Sequence, residues 1–187
     1  MLEHLKSRGM NPDLYPFMGL GEDCADFPMY DFRGRMTGYQ RYRPNGDKKL
    51  VNSREGRYYS HVSKGESVCV FGLESWNFGH FIFLTGGLFK AATLHRLGYT
   101  ALHVSATSFR VLKPQLDLTG RYYMAVGDND DEGRQFARRY GGFTSPVDVD
   151  EMEDADVHEM LAYETAHYFP QRRQHGLEDN FRYGSTN

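Results

Sequence analysis

The stretch from Phe81 to Gly141 constrains this chain most. It begins with an apolar run, Phe81-Ile82-Phe83-Leu84, that ends in a Thr85-Gly86-Gly87 turn. Leu88, Ala91, Ala92, Leu94 and Leu97 then recur at helical spacing, and Gly98 closes that helix. Thr100–Val104 and Tyr122–Val126 read as two further strands. The second runs straight into Asp128-Asn129-Asp130-Asp131-Glu132-Gly133 and another helix. Strand, glycine turn, helix, strand, then strand, acidic turn and helix is the rhythm of an open, mostly parallel α/β sheet flanked by helices. In such sheets ligands bind outside the carboxyl ends of the strands, where both turns fall.

At 187 residues the chain has room for one domain with appendages or for two small subdomains. Its 40% hydrophobic and 14% aromatic content excludes wholesale disorder. The net charge of −3 is ordinary, but its distribution is not. Arg33, Arg35, Arg41, Arg43, Lys48, Lys49, Arg54, Arg57 and Lys64 face only Asp47 and Glu55 between positions 33 and 64. Asp148, Asp150, Glu151, Glu153, Asp154, Asp156 and Glu159 form a run without a cation. A basic face for polyanions and an acidic solvated segment are the expected consequences. Cys24 and Cys69 are too few for a disulfide framework or a zinc site, which points to a reducing compartment. Met1–Gly9 has no apolar signal core, and no run reaches the length of a membrane span, so a cytoplasmic protein is expected.

Residues 1–66 read as an N-terminal arm followed by a basic antiparallel meander. The arm is broken at Asn11-Pro12 and at Gly19-Leu20-Gly21. Phe27–Tyr30 and Met36–Arg43 are the first two strands of the meander, Asp31–Gly34 and Pro44–Asp47 its turns, and Lys48–Asn52 the start of a return strand. Alternation puts Tyr39, Arg41 and Arg43 on one face and Gln40 and Tyr42 on the other. Arg33, Arg35, Tyr39, Arg41, Tyr42, Arg43, Lys48, Lys49, Arg54, Arg57, Tyr58 and Tyr59 together are the candidate nucleic-acid contacts. Cations neutralise phosphates and exposed rings stack on splayed bases, which is the chemistry of single-strand binding. The competing reading is a solvated edge sheet whose tyrosines cover the core. Val68–Phe71 reads as one more strand, and Trp76, the only tryptophan, is left open between a core or hinge position and a stacking surface.

Phe81-Ile-Phe-Leu-Thr-Gly-Gly-Leu-Phe-Lys-Ala-Ala resembles the first motif of Toprim domains, which occur in bacterial-type primases, topoisomerases and some nucleases. Met124-Ala-Val-Gly-Asp-Asn-Asp-Asp-Glu-Gly-Arg resembles their second, the Asp-x-Asp-x-x-Gly motif. Upstream, Asp31-x-x-Gly34-Arg35-x-x-Gly38, Lys49-Leu-Val-Asn52-Ser53 and Phe71-Gly72-Leu73 are similar in order and spacing to the approach to Toprim in primase cores. The resemblance implies a Toprim-like sheet, α/β in the core and α+β overall. It also implies a magnesium site at Asp128 and Asp130. This sequence departs from the pattern in two places. Gly86 stands where Toprim enzymes carry a glutamate, and Lys90 where primases carry a further acid. Phosphoryl transfer wants several carboxylates around magnesium, so no catalytic residue is assigned and no cofactor is expected. Asp128 and Asp130 remain as a weak or vestigial metal pair, and the competing reading makes them a helix cap.

Residues 67–146 are thus the expected Toprim-like core, and 147–187 an acidic amphipathic helix with a polar tail. Val147–Val149 is expected to add an edge strand, and Val157, Met160, Leu161, Glu164 and Tyr168 to line a helix that Pro170 ends. The function expected is non-catalytic single-stranded DNA binding in phage transcription or replication, with self-association along the strand and a phage RNA or DNA polymerase as partner. In size and character, though not in any motif, the chain is similar to the small cofactor by which N4-like bacteriophages bring their RNA polymerase to middle promoters. The alternatives are a magnesium-dependent Toprim enzyme, a primase fragment or nuclease, that recruits Glu132 or Glu74, and an interaction module that inhibits a host enzyme.

Overall fold

A computed structural model describes residues 1–50, 53–63, 68–104 and 109–179, with side chains as far as Tyr168. The chain divides into two compact units, Met1–Asp150 and Glu151–Asn187. In the first unit α1 (Leu2–Ser7) and a short 3-10 turn (Pro12–Leu14) precede an antiparallel sheet of β1 (Gly19–Leu20), β2 (Ala25–Tyr30), β3 (Met36–Tyr42) and β4 (Tyr58–Val62), in that order. The second sheet is parallel. It contains β5 (Phe81–Thr85), β6 (Ala101–His103), β7 (Tyr122–Gly127) and β8 (Gly142–Thr144), joined through α2 (Leu88–Arg96), α3 (Phe109–Leu118) and α4 (Asp131–Tyr140). Its strand order is β6-β5-β7-β8. The α/β fold expected from the sequence, a parallel sheet flanked by helices and preceded by an antiparallel sheet, is the fold observed, and each sheet has four strands.

Burial explains each element. β5 reads half-buried then buried at four consecutive positions, as a central parallel strand with both faces covered must. Ile82, Leu84, Tyr123 and Ala125 share one face of the sheet and pack with Leu102, Leu112, Leu116 and Tyr140. Gly98, at φ +85°, ends α2 with its amide on the His95 carbonyl.

Val68–Phe71 is not a strand of either sheet. Val70 pairs with Tyr30 at the end of β2, and Phe71 pairs with His103 on the edge strand β6. Two adjacent residues therefore splice the antiparallel sheet to the parallel one.

Other expectations also need correction. Lys48-Lys49-Leu50 is turn, and the return strand is β4; Val51 and Asn52 lie outside the described residues. The sequence reading passed over the stretch that forms α3, which carries Pro114 inside it. Its ring removes one backbone donor, but Leu112 and Leu116 are fully buried and hold the helix on the sheet. The edge strand is Gly142–Thr144 rather than Val147–Val149, and Val149–Glu151 is a 3-10 turn. A Cβ at Gly142 would run into the Ala125 backbone, so glycine lets β8 approach β7.

In the second unit α5 spans Asp154–Asp179 and continues through Pro170 instead of ending there. Val157 and Leu161 are its buried residues and Met160, Glu164 and Tyr168 are half-buried, the stripe that the spacing predicts. Among the described residues no helix is long and apolar enough to cross a membrane.

Candidate functional site

The order β6-β5-β7-β8 reverses direction between β5 and β7, which makes that gap the topological switch point. The turn Thr85-Gly86-Gly87 leaves β5 and Asp128-Asn129-Asp130 leaves β7, so both turns border one crevice. The crevice is a cleft of ≈ 230 Å³ lined by Gly86, Val104, Asp128, Glu132, Phe136 and Arg139, among others.

The motif glycine has a steric reason. A Cβ at Gly133 would overlap the Asp128 backbone, and one at Gly127 would overlap Gly133. The Asp-x-Asp-x-x-Gly turn is therefore as tight as its backbone allows. Asp130 is the N-cap of α4; its Oδ1 accepts the Gly133 amide at 2.7 Å. Asp131 and Glu132 follow in the first turn, with Arg138 and Arg139 in the last, the arrangement that the helix dipole favours.

Asp128 is different. Its carboxylate makes an ion pair with Lys90, whose ammonium also lies 3.8 Å from Asp148. Lys90 is in the first turn of α2, where a cation opposes the helix dipole. Two aspartates compensate for that position, and the lysine side chain is only 12% exposed. Burial pushes the Asp128 carboxyl above its ordinary range; Lys90 pulls against this, and Asp148 and Asp130 reinforce it. A Cβ at Gly86 would meet nothing within 4 Å, so the place of the missing glutamate is open space.

Neither substitute acid completes a metal set. Glu132 borders the cleft. Glu74 sits in the 3-10 turn Leu73–Ser75, whose Ser75 bonds Ala101 at the start of β6, the opposite end of the sheet. Among the described residues no three His, Cys, Asp or Glu side chains are grouped to hold a metal ion.

The antiparallel sheet carries the other candidate surface. Tyr39 and Arg41 of β3 face outward beside Tyr59 and His61 of β4, with Tyr39 6.2 Å from Tyr59 and 5.4 Å from His61 between ring centroids. The Arg41 guanidinium lies 6.0 Å from the Tyr39 centroid. The alternation read from the sequence is thus the alternation in the sheet.

The arginines differ in what they hold. Arg41 grips Asp26 through two nitrogens, each at 2.6 Å, and that pairing raises its already high pKa. Arg35 pairs with Asp31 at 2.7 Å, which holds the Asp31 carboxyl low against the opposing effect of burial. Arg43 donates to the Arg54 carbonyl, and Arg57 donates to Gly46 at 3.2 Å. Arg33, Lys48, Lys49 and Arg54 are exposed and form no ion pair among the described residues. Arg33 and Arg35 lie at one end of β3, while Lys48, Lys49 and Arg54 lie in the loop beyond the other. A seven-residue strand separates the two cationic ends by roughly 20 Å, so the expected single patch is an aromatic face with a cationic group at each end.

Tyr42 is the correction within this set. It is 1% exposed, its hydroxyl meets His4 at 2.8 Å, and its ring packs on Phe89 at 4.8 Å. It belongs to the core because it points away from Tyr39. Tyr58, opposite it, packs at a tilt against Tyr42 with ring centroids 5.3 Å apart and keeps 38% exposure. The sequence put Lys90 where primases carry an acid, and the structure makes it the ion-pair partner of Asp128.

No protein-family model matches the sequence, and no curated protein matches it. Solved structures do. The chain is similar to the Aquifex aeolicus primase comprising zinc-binding and RNA polymerase domains, with TM-score 0.60, 17% identity, and 86% of this chain aligned to 55% of that one. A DnaG primase catalytic domain bound to single-stranded DNA gives TM-score 0.60 at 14% identity over 88% of this chain and 70% of that one. The primase fragment of the bacteriophage T7 primase-helicase gives 0.59 at 14% over 86% and 73%. This chain spans 55% of the length of the Aquifex protein. The likeness establishes a primase-type, Toprim-like core fold.

Proposed function

We propose that this protein binds single-stranded DNA without catalysis, on a primase-type core whose motif aspartate Asp128 is paired with its own lysine. The observation that carries the reading is the ion pair of Lys90 with Asp128, beside open space at Gly86. A cation covalently fixed to α2 occupies the charge that magnesium would neutralise, so the cleft has little affinity for a divalent ion. The aromatic face of β3 and β4, with cations at both ends, supplies what a flexible strand needs. A structural neighbour bound to single-stranded DNA supports the same reading. A neighbouring T7 primase domain, described in complex with the T7 lagging-strand DNA polymerase, supports a polymerase as the protein partner. In this reading the protein brings a phage polymerase to exposed strands during transcription or replication and assembles along them, in the host cytoplasm.

The test is anisotropy of labelled single- and double-stranded DNA across a salt series, with and without magnesium. Single strands bind more tightly, magnesium has no effect, and affinity falls steeply with salt. Replacing Arg33, Lys48, Lys49 and Arg54 with glutamine flattens the salt slope by roughly 3, about 0.7 for each phosphate that is no longer neutralised. These four are better targets than Arg41, Arg43 or Arg57, which hold the fold. An unchanged slope overturns the binding face. Magnesium-dependent cleavage or nucleotide incorporation instead establishes the phosphoryl-transfer enzyme.

A further inference from the structure

The amino end of the parallel sheet carries an open pocket that the β3–β4 face and the Asp128 cleft leave unexplained. Its volume is ≈ 620 Å³, and Phe32, Trp76, Phe78, Gln115, Leu118 and Arg121 form most of its wall. That is within the roughly 300–1,000 Å³ of small-molecule sites. The rings are unusually bare: Trp76 is 41% exposed and Phe78 105%. A chain normally hides its only tryptophan more completely than this.

Arg121 is set among these rings. Its guanidinium lies 4.8 Å from the Trp76 centroid, and its Nη2 donates to the Asn77 carbonyl. Its Nη1 is buried and has no hydrogen-bond partner. A buried guanidinium nitrogen without an acceptor is costly unless an incoming group supplies one. Arg121 is the one charged side chain among the described residues that line the pocket, and no carboxylate opposes it there. The exposed carboxamide of Gln115 adds a donor and an acceptor at the rim. Flat apolar rings, a lone cation lacking an acceptor and a carboxamide are complementary to a planar, polar-edged base attached to a phosphate.

The pocket also adjoins the basic face. Phe32 belongs to the same tight turn as Arg33 and Arg35, in which the Arg33 and Arg35 amides both bond Asp31 Oδ1. Phe32 meets Trp76 edge-on at 6.0 Å. A strand leaving Tyr39 and Tyr59 past Arg33 therefore arrives at Trp76.

We infer that this pocket receives one nucleotide of the bound single strand, its base on Trp76 and Phe78 and its phosphate at Arg121 Nη1. The inference rests on the single-strand reading above and adds a second anchoring point to it. Because Trp76 is the only tryptophan, its emission reports on this pocket alone. Oligothymidylate is titrated into the full chain while anisotropy and tryptophan emission are followed together, with thymidine monophosphate as a parallel ligand. Emission is quenched at the same midpoint as the anisotropy change. Phe78→Ser, at a fully exposed position, weakens binding roughly tenfold, and Arg121→Gln lowers the salt slope by about 0.7. Saturating anisotropy with unchanged emission and an indifferent Phe78→Ser variant overturns the inference, leaves the β3–β4 face standing and assigns the pocket to a protein partner. Equal quenching by the monophosphate overturns the strand in favour of a free nucleotide. Absence of any strand binding overturns both readings.

Discussion

At the carboxyl end of the parallel sheet, Lys90 lies between Asp128 and Asp148, and the cleft neutralises itself. At the amino end, Arg121 lies over Trp76 with one nitrogen lacking an acceptor. Each site sets a cation beside the central strands β5 and β7. What differs is the partner the chain supplies. A carboxylate quenches the first charge, whereas an aromatic face leaves the second available to an outside anion. The end where α/β enzymes hold their ligands is here closed electrostatically, and the end that is usually structural is open.

A buried histidine marks each end of the edge strand β6, and acid strikes both. At the amino end His95 takes the Tyr15 hydroxyl on Nδ1 at 2.6 Å and gives its Nε2 proton to the Ala101 carbonyl at 2.8 Å. At the carboxyl end His103 is 1% exposed, near Thr85 and Lys90. Burial pushes each down to about 4 from an ordinary 6.5. Both folded values are lowered, so the unfolded chain takes up protons first. The stability they contribute is complete above pH 6.5 and lost as pH falls towards 4. Two such shifts amount to several kcal/mol, on the order of 3 for each histidine. Urea unfolding at pH 7 and pH 5 measures the loss, and replacing His95 with glutamine removes about half of the pH dependence.

Lys90→Met sharpens the contrast next. It leaves a partly buried carboxylate without its cation and destabilises the fold by about 1–3 kcal/mol at neutral pH. Because the Asp128 pKa already lies above the ordinary carboxylate range, protonation relieves this penalty as pH falls. The deficit therefore shrinks in mild acid, measured against the unmodified chain at each pH. A deficit independent of pH means Lys90 acts through packing.

The smallest effect breaks the comparison outright. Gly86→Glu with Lys90→Asp places acids where the Toprim pattern has them, and the open space at Gly86 accepts the first. Magnesium at about ten times its dissociation constant then stabilises the double variant by about 1.4 kcal/mol, seen as a rise in melting temperature absent from the parent. No rise means that Asp128, or the cap at Asp130, is committed to the turn.

The parallel sheet was legible because period, glycine turns and the acidic turn agree along one stretch. The outward set Tyr39 and Arg41 was legible for the same reason, and the alternation already put Tyr42 on the opposite face. Three features were hidden by different physics. Pro114 reads as a helix breaker, yet burial of Leu112 and Leu116 outweighs one lost backbone bond. Lys48–Leu50 follows a strong turn and looks like a returning strand, but the chain makes further turns before β4. The Trp76 pocket is assembled from the β2–β3 turn, the approach to β5 and the end of α3, so no local pattern announces it. The arginines were visible as charge, but their carboxylate and carbonyl partners are set by sheet register, as Arg41 facing Asp26 shows.

Val70 and Phe71 have a consequence for how the molecule opens. Each exchanges two backbone hydrogen bonds, Val70 with Tyr30 and Phe71 with His103, at 2.8–3.1 Å. The splice is one peptide unit long, so neither sheet can release its share without disturbing the other. Amide exchange at all four residues should follow a single opening event, and a disturbance at the edge of β6 should reach β2 through main chain alone.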